Sequence, residues 1–119
     1  MTDDGSVEVG VDPRDLDGAT LDSALVEQRL AIVEFWADWC LFSRLLYPRS
    51  RYLAAKYRDR LLVARCRLEG DEAAVERFDI RYLPAVALFR GKKLLRKWYG
   101  DVPIGTLAHS IEDYCGADE

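Results

Sequence analysis

The stretch Phe35-Trp36-Ala37-Asp38-Trp39-Cys40-Leu41-Phe42-Ser43 decides how the rest of the chain is read. Ala31 to Trp36 is nearly continuous apolar sequence, the pattern of a central strand covered on both faces. An aromatic turn follows. Beyond it Leu45, Leu46, Leu53 and Tyr57 recur at three- and four-residue steps, which predicts a helix from Leu41 to about Tyr57 with Pro48 in its interior as a kink. Cys40 therefore stands where a strand gives way to a helix. A thiol there faces unpaired backbone N–H groups and the positive end of the helix dipole, both of which favour the nucleophilic thiolate. Glu34 is the one ionisable residue inside the strand, and a buried carboxylate is costly unless it is paired.

Toward the N-terminus, Val7, Val9 and Val11 alternate in a way that predicts a short strand over 6–11, ended by the acidic loop Asp12-Pro13-Arg14-Asp15. Thr20 or Asp22 can then cap a short helix reaching about Gln28, with Leu21 and Leu25 on its buried side. On the other side of the central stretch, Leu61 to Leu68 predicts a second inner strand. Its alternation puts Leu62, Ala64, Cys66 and Leu68 on one face and Leu61, Val63, Arg65 and Arg67 on the other. Gly70-Asp71 opens a short helix through Phe78, and the loop Asp79 to Pro84 follows. Gly91-Lys92-Lys93 joins the strands Ala85–Arg90 and Leu94–Tyr99 as a hairpin. Pro103, at the first helical position, starts a last helix whose apolar stripe is Ile104, Leu107, Ala108 and Ile111. The order β-α-β-α-β-α-β-β-α predicts one α/β domain, a mixed central sheet flanked by helices on both faces, with its core over about 6–114.

Composition narrows the function. The chain has 119 residues, half of them apolar, enough for one core. A net charge of −4 and an isoelectric point near 5.1 give no general attraction to nucleic acid or an anionic membrane, so neither is an expected partner. No run approaches a membrane span, and the acidic N-terminus has no apolar signal core, which predicts a cytoplasmic protein. Three widely spaced cysteines, Cys40, Cys66 and Cys115, argue against a disulfide framework, and a single histidine, His109, argues against a His/Cys zinc site. No metal or other cofactor is expected. Cys66 alternates with core residues and is expected to pack; Cys115, at the end of the last helix, is expected to be exposed. Acidic side chains outnumber basic ones eight to two over 1–30, whereas 43–67 carries eight bases and one acid; most of this charge is expected on solvated faces.

Trp36-Ala37, Trp39-Cys40, Pro48, the loop Ile80-Arg81-Tyr82-Leu83-Pro84, Gly91 and Gly100 together resemble the thioredoxin family: its W-A-x-W-C-x-x-C segment, its helix-kinking proline, its I-R-x-x-P loop, its hairpin glycine and the glycine flanking its peptide groove. The resemblance covers roughly 6–114 and implies the thioredoxin fold. It assigns the nucleophile to Cys40. It also implies a cis Pro84 lying against that cysteine, with the backbone of Leu83 as a docking edge for an extended substrate. Glu34 falls on the family's buried aspartate, the proton acceptor for the second cysteine, and Arg65 on the neighbouring strand is its natural partner.

The departure is Ser43, which stands where the second cysteine belongs. That cysteine normally attacks the mixed disulfide and releases product; a hydroxyl cannot. Leu41-Phe42 also replaces the family's Gly-Pro, making the turn bulkier. The segment is similar to the C-x-F-S site of an endoplasmic-reticulum relative of protein disulfide isomerase that retains clients by mixed disulfide. The resemblance therefore implies a monothiol protein that engages protein disulfide or thiol clients, or glutathione, through Cys40 and needs an external thiol for turnover. Phe42, Trp39, Leu83 and Tyr82 would form an apolar rim around Cys40; Leu41, Pro84 and Gly100 would complete the substrate-binding set, and Arg44 would lie close to the thiol. The alternative is a redox-inactive binding module that uses the groove of Trp39 and Pro84. A monothiol glutaredoxin with an iron–sulfur cluster fits less well, because such proteins carry glycine where Leu41 stands.

Overall fold

A computed structural model describes residues 12–25, 29–41, 45–58 and 60–117. In chain order the elements are β1 (Arg14–Leu16), α1 (Gly18–Ala24), β2 (Leu30–Trp36), α2 (Tyr47–Lys56), β3 (Leu62–Arg67), α3 (Glu72–Phe78), β4 (Ala85–Arg90), β5 (Lys93–Tyr99) and α4 (Ile104–Ala117). Among the described residues the strands form one sheet in the order β1-β3-β2-β4-β5. The β1–β3 and β3–β2 pairs are parallel, and the β2–β4 and β4–β5 pairs antiparallel.

The apolar run of β2 is explained by its place at the centre of this sheet. Ala31, Val33 and Phe35 pack into a cluster with Leu21 and Leu25, Ala74 of α3, and Ala85, Ala87 and Phe89 of β4. Leu30 and Ile32 face the other way, against Leu53, Ala54 and Tyr57 of the α2 region and Leu107 and Ile111 of α4. The alternation expected of β3 holds: Leu62, Ala64, Cys66 and Leu68 belong to the first cluster, Leu61 and Val63 to the second. Burial pushes the Cys66 thiol up to about 12, with Asp71 and Asp17 adding to the shift.

Several boundaries differ from the sequence expectation. The strand expected over 6–11 lies outside the described residues. Arg14 and Asp15, expected within a loop, belong with Leu16 to a strand at the edge of the described sheet, whose parallel ladder with β3 (Arg14↔Ala64, Leu16↔Cys66) outweighs its poor local propensity. Asp17, rather than Thr20 or Asp22, caps α1. Its carboxylate accepts from the Thr20 N–H at 3.0 Å, while Thr20 Oγ1 accepts from the Asp17 N–H at 2.8 Å. The helix ends at Ala24, with Leu25 as its C-cap, short of the end expected near Gln28, which itself lies outside the described residues.

Pro48 does not kink a continuous helix. Leu41 and Leu45 are helical, Leu46 is a turn residue at φ −91° and ψ 1°, and α2 begins at Tyr47 with Pro48 in its first turn. A proline is favoured there because the first N–H groups of a helix have no intrahelical partner. Pro103 likewise sits one residue before α4, its carbonyl accepting from Thr106 N–H at 3.0 Å and Leu107 N–H at 3.3 Å. Ile104, expected on the buried stripe, is 38% exposed, whereas Cys115, expected at the surface, is buried in the second cluster. The inner face of α4 continues one turn further than its sequence pattern suggests.

Candidate active site

Parallel pairing with β3 carries β2 to one pole of the sheet, and the chain turns there. Leu68 N–H donates to the Trp36 carbonyl at 3.0 Å, extending the ladder past the strand end, and Cys40 N–H donates to the Ala37 carbonyl at 3.1 Å to close the turn. Cys40 is half-buried and immediately precedes helical Leu41. Arg67 ties the turn to β3: its Nη2 reaches Asp38 Oδ2 at 2.5 Å and Glu69 Oε1 at 2.9 Å, while Asp38 N–H donates to the same Glu69 oxygen at 3.4 Å. The Arg67 guanidinium holds the Glu69 carboxyl below its ordinary range, and its own pKa is raised in return, chiefly by Glu69. The Arg65 and Arg67 guanidiniums lie 5.0 and 5.7 Å from the Trp36 ring centre. Trp36 Nε1 is buried and has no partner among the described residues.

The facing wall is the Ile80–Pro84 loop, whose Leu83–Pro84 peptide bond is cis. Gly100 N–H donates to the Pro84 carbonyl at 2.9 Å; with φ at +83°, Gly100 occupies a conformation that side-chain-bearing residues rarely adopt. Tyr99 fastens the other end of the loop, its hydroxyl accepting from Arg81 N–H at 3.2 Å and donating to the Asp79 carbonyl at 2.9 Å. Tyr82 stacks edge-on against Tyr99 at 5.5 Å. Among the described residues, the backbone N–H and C=O of Leu83 have no hydrogen-bond partner.

Of the expected rim, Trp39 and Tyr82 are turned to solvent, 70% and 69% exposed, and Leu41, next to Cys40, is 64% exposed. Leu83 instead packs partly against the core. A recess of about 210 Å³ opens between Trp39, Leu68, Val75, Ile80, Tyr82 and Leu83. Phe42, Ser43 and Arg44 lie outside the described residues.

Glu34, one of the candidate catalytic groups, is 3% exposed and stands opposite Arg65 in the β2–β3 register. Its Oε1 accepts from Arg65 Nε at 3.0 Å and from Ser50 Oγ at 2.5 Å; its Oε2 accepts from Arg49 Nη2 at 2.6 Å. The Arg65 pairing is the one the sequence predicts. Arg49 and Ser50 are additions to it, because the charge of their helix is expected to face solvent. One signal for them exists: Leu46, Ser50, Leu53 and Tyr57 follow one helical stripe, and a serine within a buried stripe implies a polar partner in the core. With both oxygens engaged by charge-assisted donors, this carboxylate serves as a brace between β2, β3 and α2.

A cysteine between a central strand and a helix, next to a tryptophan that lines a recess with the loop before a cis proline, on a sheet of this topology, defines the class of thiol proteins built on the thioredoxin fold. The sequence pattern of the Thioredoxin family matches residues 13–113, and the chain belongs to that family. It is 32% identical to Thioredoxin 1 of Chlorobaculum tepidum over 93 residues, covering 77% of this chain and 92% of that protein. It is also 32% identical over 103 residues to Endoplasmic reticulum resident protein 44 of Mus musculus, covering 81% of this chain but 25% of that longer protein. A solved mutant thioredoxin from Halobacterium salinarum superposes with a TM-score of 0.78 at 25% identity, over 87% of this chain and 91% of that one. Among the described residues no helix is long and apolar enough to cross a membrane.

Proposed function

We propose that this protein is a monothiol member of the family that captures disulfides through Cys40. The observation that carries this reading is Cys40 itself, half-buried before helical Leu41 between exposed Trp39 and Leu41, in a segment whose next candidate thiol position is Ser43. The Cys40 thiolate attacks one sulfur of a disulfide, a Cys40–S–S–client bond forms, and the other client sulfur leaves as a thiolate. Release needs a second, external thiolate such as glutathione. It attacks the client sulfur, forms a new disulfide with it and returns Cys40 to the thiolate. Ser43 cannot supply that step, so turnover depends on the thiol pool of a reducing compartment, a setting in keeping with cytoplasmic residence.

Protein clients suit the site. Trp39, Leu41 and Tyr82 offer apolar surface, and Leu83 offers an open backbone edge beside Pro84 on which an extended segment can pair. Glu34 is assigned here to support rather than to proton transfer, together with Arg65 and Trp36. The test is incubation with an oxidised client followed by a non-reducing gel. A mixed disulfide seen with the native protein and absent from Cys40→Ala is the expected result. Equal, non-covalent retention by both proteins would replace this reading with that of a redox-inactive binding module using the same apolar surface.

A further inference from the structure

The Arg49 side chain, on the first turn of α2, is only 9% exposed and has two hydrogen-bond acceptors and one further ion-pair partner. Nη2 lies 2.6 Å from Glu34 Oε2; Nη1 lies 2.7 Å from the Val102 carbonyl and 3.7 Å from Asp101 Oδ1. A guanidinium presents its donors in a fixed planar fork, so bonds from its two terminal nitrogens fix the relative position of their acceptors. One acceptor is a strand carboxylate in the middle of the sheet. The other belongs to the segment between β5 and α4. That segment is tied onward: Val102 N–H donates to the Gly100 carbonyl at 3.0 Å, and Gly100 N–H donates to the Pro84 carbonyl at 2.9 Å. A hydrogen-bonded path therefore runs from the helix that follows Cys40, through Arg49, Val102 and Gly100, to the cis-proline loop on the far side of the groove. Neutralising Glu34 does not require this arrangement, since Arg65 and Ser50 already engage its other oxygen.

We propose that Arg49 is a positioning residue for client capture: its fork sets the Gly100–Val102 segment, and with it the Pro84 loop, at the spacing from Cys40 that an extended polypeptide needs. The inference rests on the capture reading above and names the part of the site that distinguishes a peptide from a small disulfide. A small disulfide needs access to Cys40 alone. A peptide disulfide also needs the loop edge at Leu83, so a displaced loop slows its capture selectively.

The experiment compares the rate of mixed-disulfide formation with hydroxyethyl disulfide and with a ten-residue extended peptide disulfide. The proteins are the native chain, Arg49→Lys, Arg49→Gln and, as a control for lost positive charge, Arg58→Gln. Arg58 lies exposed beyond α2. A lysine at 49 keeps the charge beside Glu34 but is a single point donor, so it protects the fold while removing the fork. The expected result is a peptide rate about tenfold or more below native in both Arg49 variants, as misplacement by around an ångström produces, with the small-disulfide rate unchanged within about twofold and Arg58→Gln unchanged on both probes. If Arg49→Gln does not fold, Arg49→Lys decides. Native peptide capture by Arg49→Lys, or an equal fall on both probes, overturns the positioning role while leaving Cys40 capture standing. A native protein that captures neither probe overturns the capture reading and this proposal together.

Discussion

Glu34 and Cys40 belong to one strand and the turn that follows it, and the fold treats their polar atoms in opposite ways. The Glu34 carboxylate is surrounded by Arg49, Ser50 and Arg65. The Cys40 sulfur has no hydrogen-bond partner among the described residues and sits beside exposed aromatic and aliphatic side chains. The difference shows how a small sheet separates holding from reacting. In the middle of the sheet, burial strengthens every charge-assisted bond and makes each one expensive to break. At the pole the ladder ends, neighbours thin out, and a group can remain available.

Four measurements put that contrast at risk. The largest effect is expected at the open end: Ser43→Cys restores an intramolecular thiol and should shorten the lifetime of the captured adduct more than about a hundredfold, because the second attack becomes unimolecular. Persistence of the adduct on a quenched non-reducing gel would mean that more than a missing thiol separates this site from turnover. At the saturated end, Glu34→Ala leaves two arginines without their carboxylate and should lower stability by about 3–5 kcal/mol, read from the denaturant midpoint. A loss no greater than that of an exposed glutamate would refute the brace. Tyr99→Phe removes two hydrogen bonds holding the cis-proline loop, worth about 1 kcal/mol of stability. The same variant should slow peptide capture while sparing small disulfides.

The smallest effect is the acid dependence of the pole. Arg81 and Lys97 hold the Asp79 carboxyl below its ordinary range, as Arg67 does for Glu69. A carboxylate with a depressed folded pKa stabilises the fold above its unfolded pKa, and this contribution disappears as pH falls through the folded value. The thermal midpoint should therefore decline gradually below about pH 4, and added salt should blunt the decline because these groups are exposed. A midpoint that instead fell as pH rose from 5 to 7 would point to other groups.

Part of this site is legible in the amino-acid sequence. The position of Cys40, the Glu34–Arg65 pair and the cis Pro84 follow from an apolar run ending in a turn, a lone acid within it, an arginine on the next inner strand, and a motif around the proline. Arg49 is hidden by a local rule that usually works, since a basic residue on a charged helix normally faces water. Ser50 is less hidden, because it falls on the stripe of Leu46, Leu53 and Tyr57 and is buried with Leu53 in α2. Cys115 escapes as Arg49 does, because the end of a helix is buried or exposed according to what packs over it.

Taken alone, the sequence determined what is local and periodic in this protein: a β2 covered on both faces, the two faces of β3, the β4–β5 hairpin, and the presence of one candidate nucleophile with serine at the position of its partner. Hydrophobic alternation and residue chemistry act over a few positions, so they can be read from the chain. Tertiary structure alone decided that Arg14–Leu16 forms a strand at the edge of the described sheet, that Cys115 is buried, and that Arg49 joins Arg65 on Glu34. These depend on contacts between segments far apart in sequence. Arg49 reaches both Glu34 in β2 and the Val102 carbonyl before α4, two groups that only the folded sheet brings within one guanidinium's span.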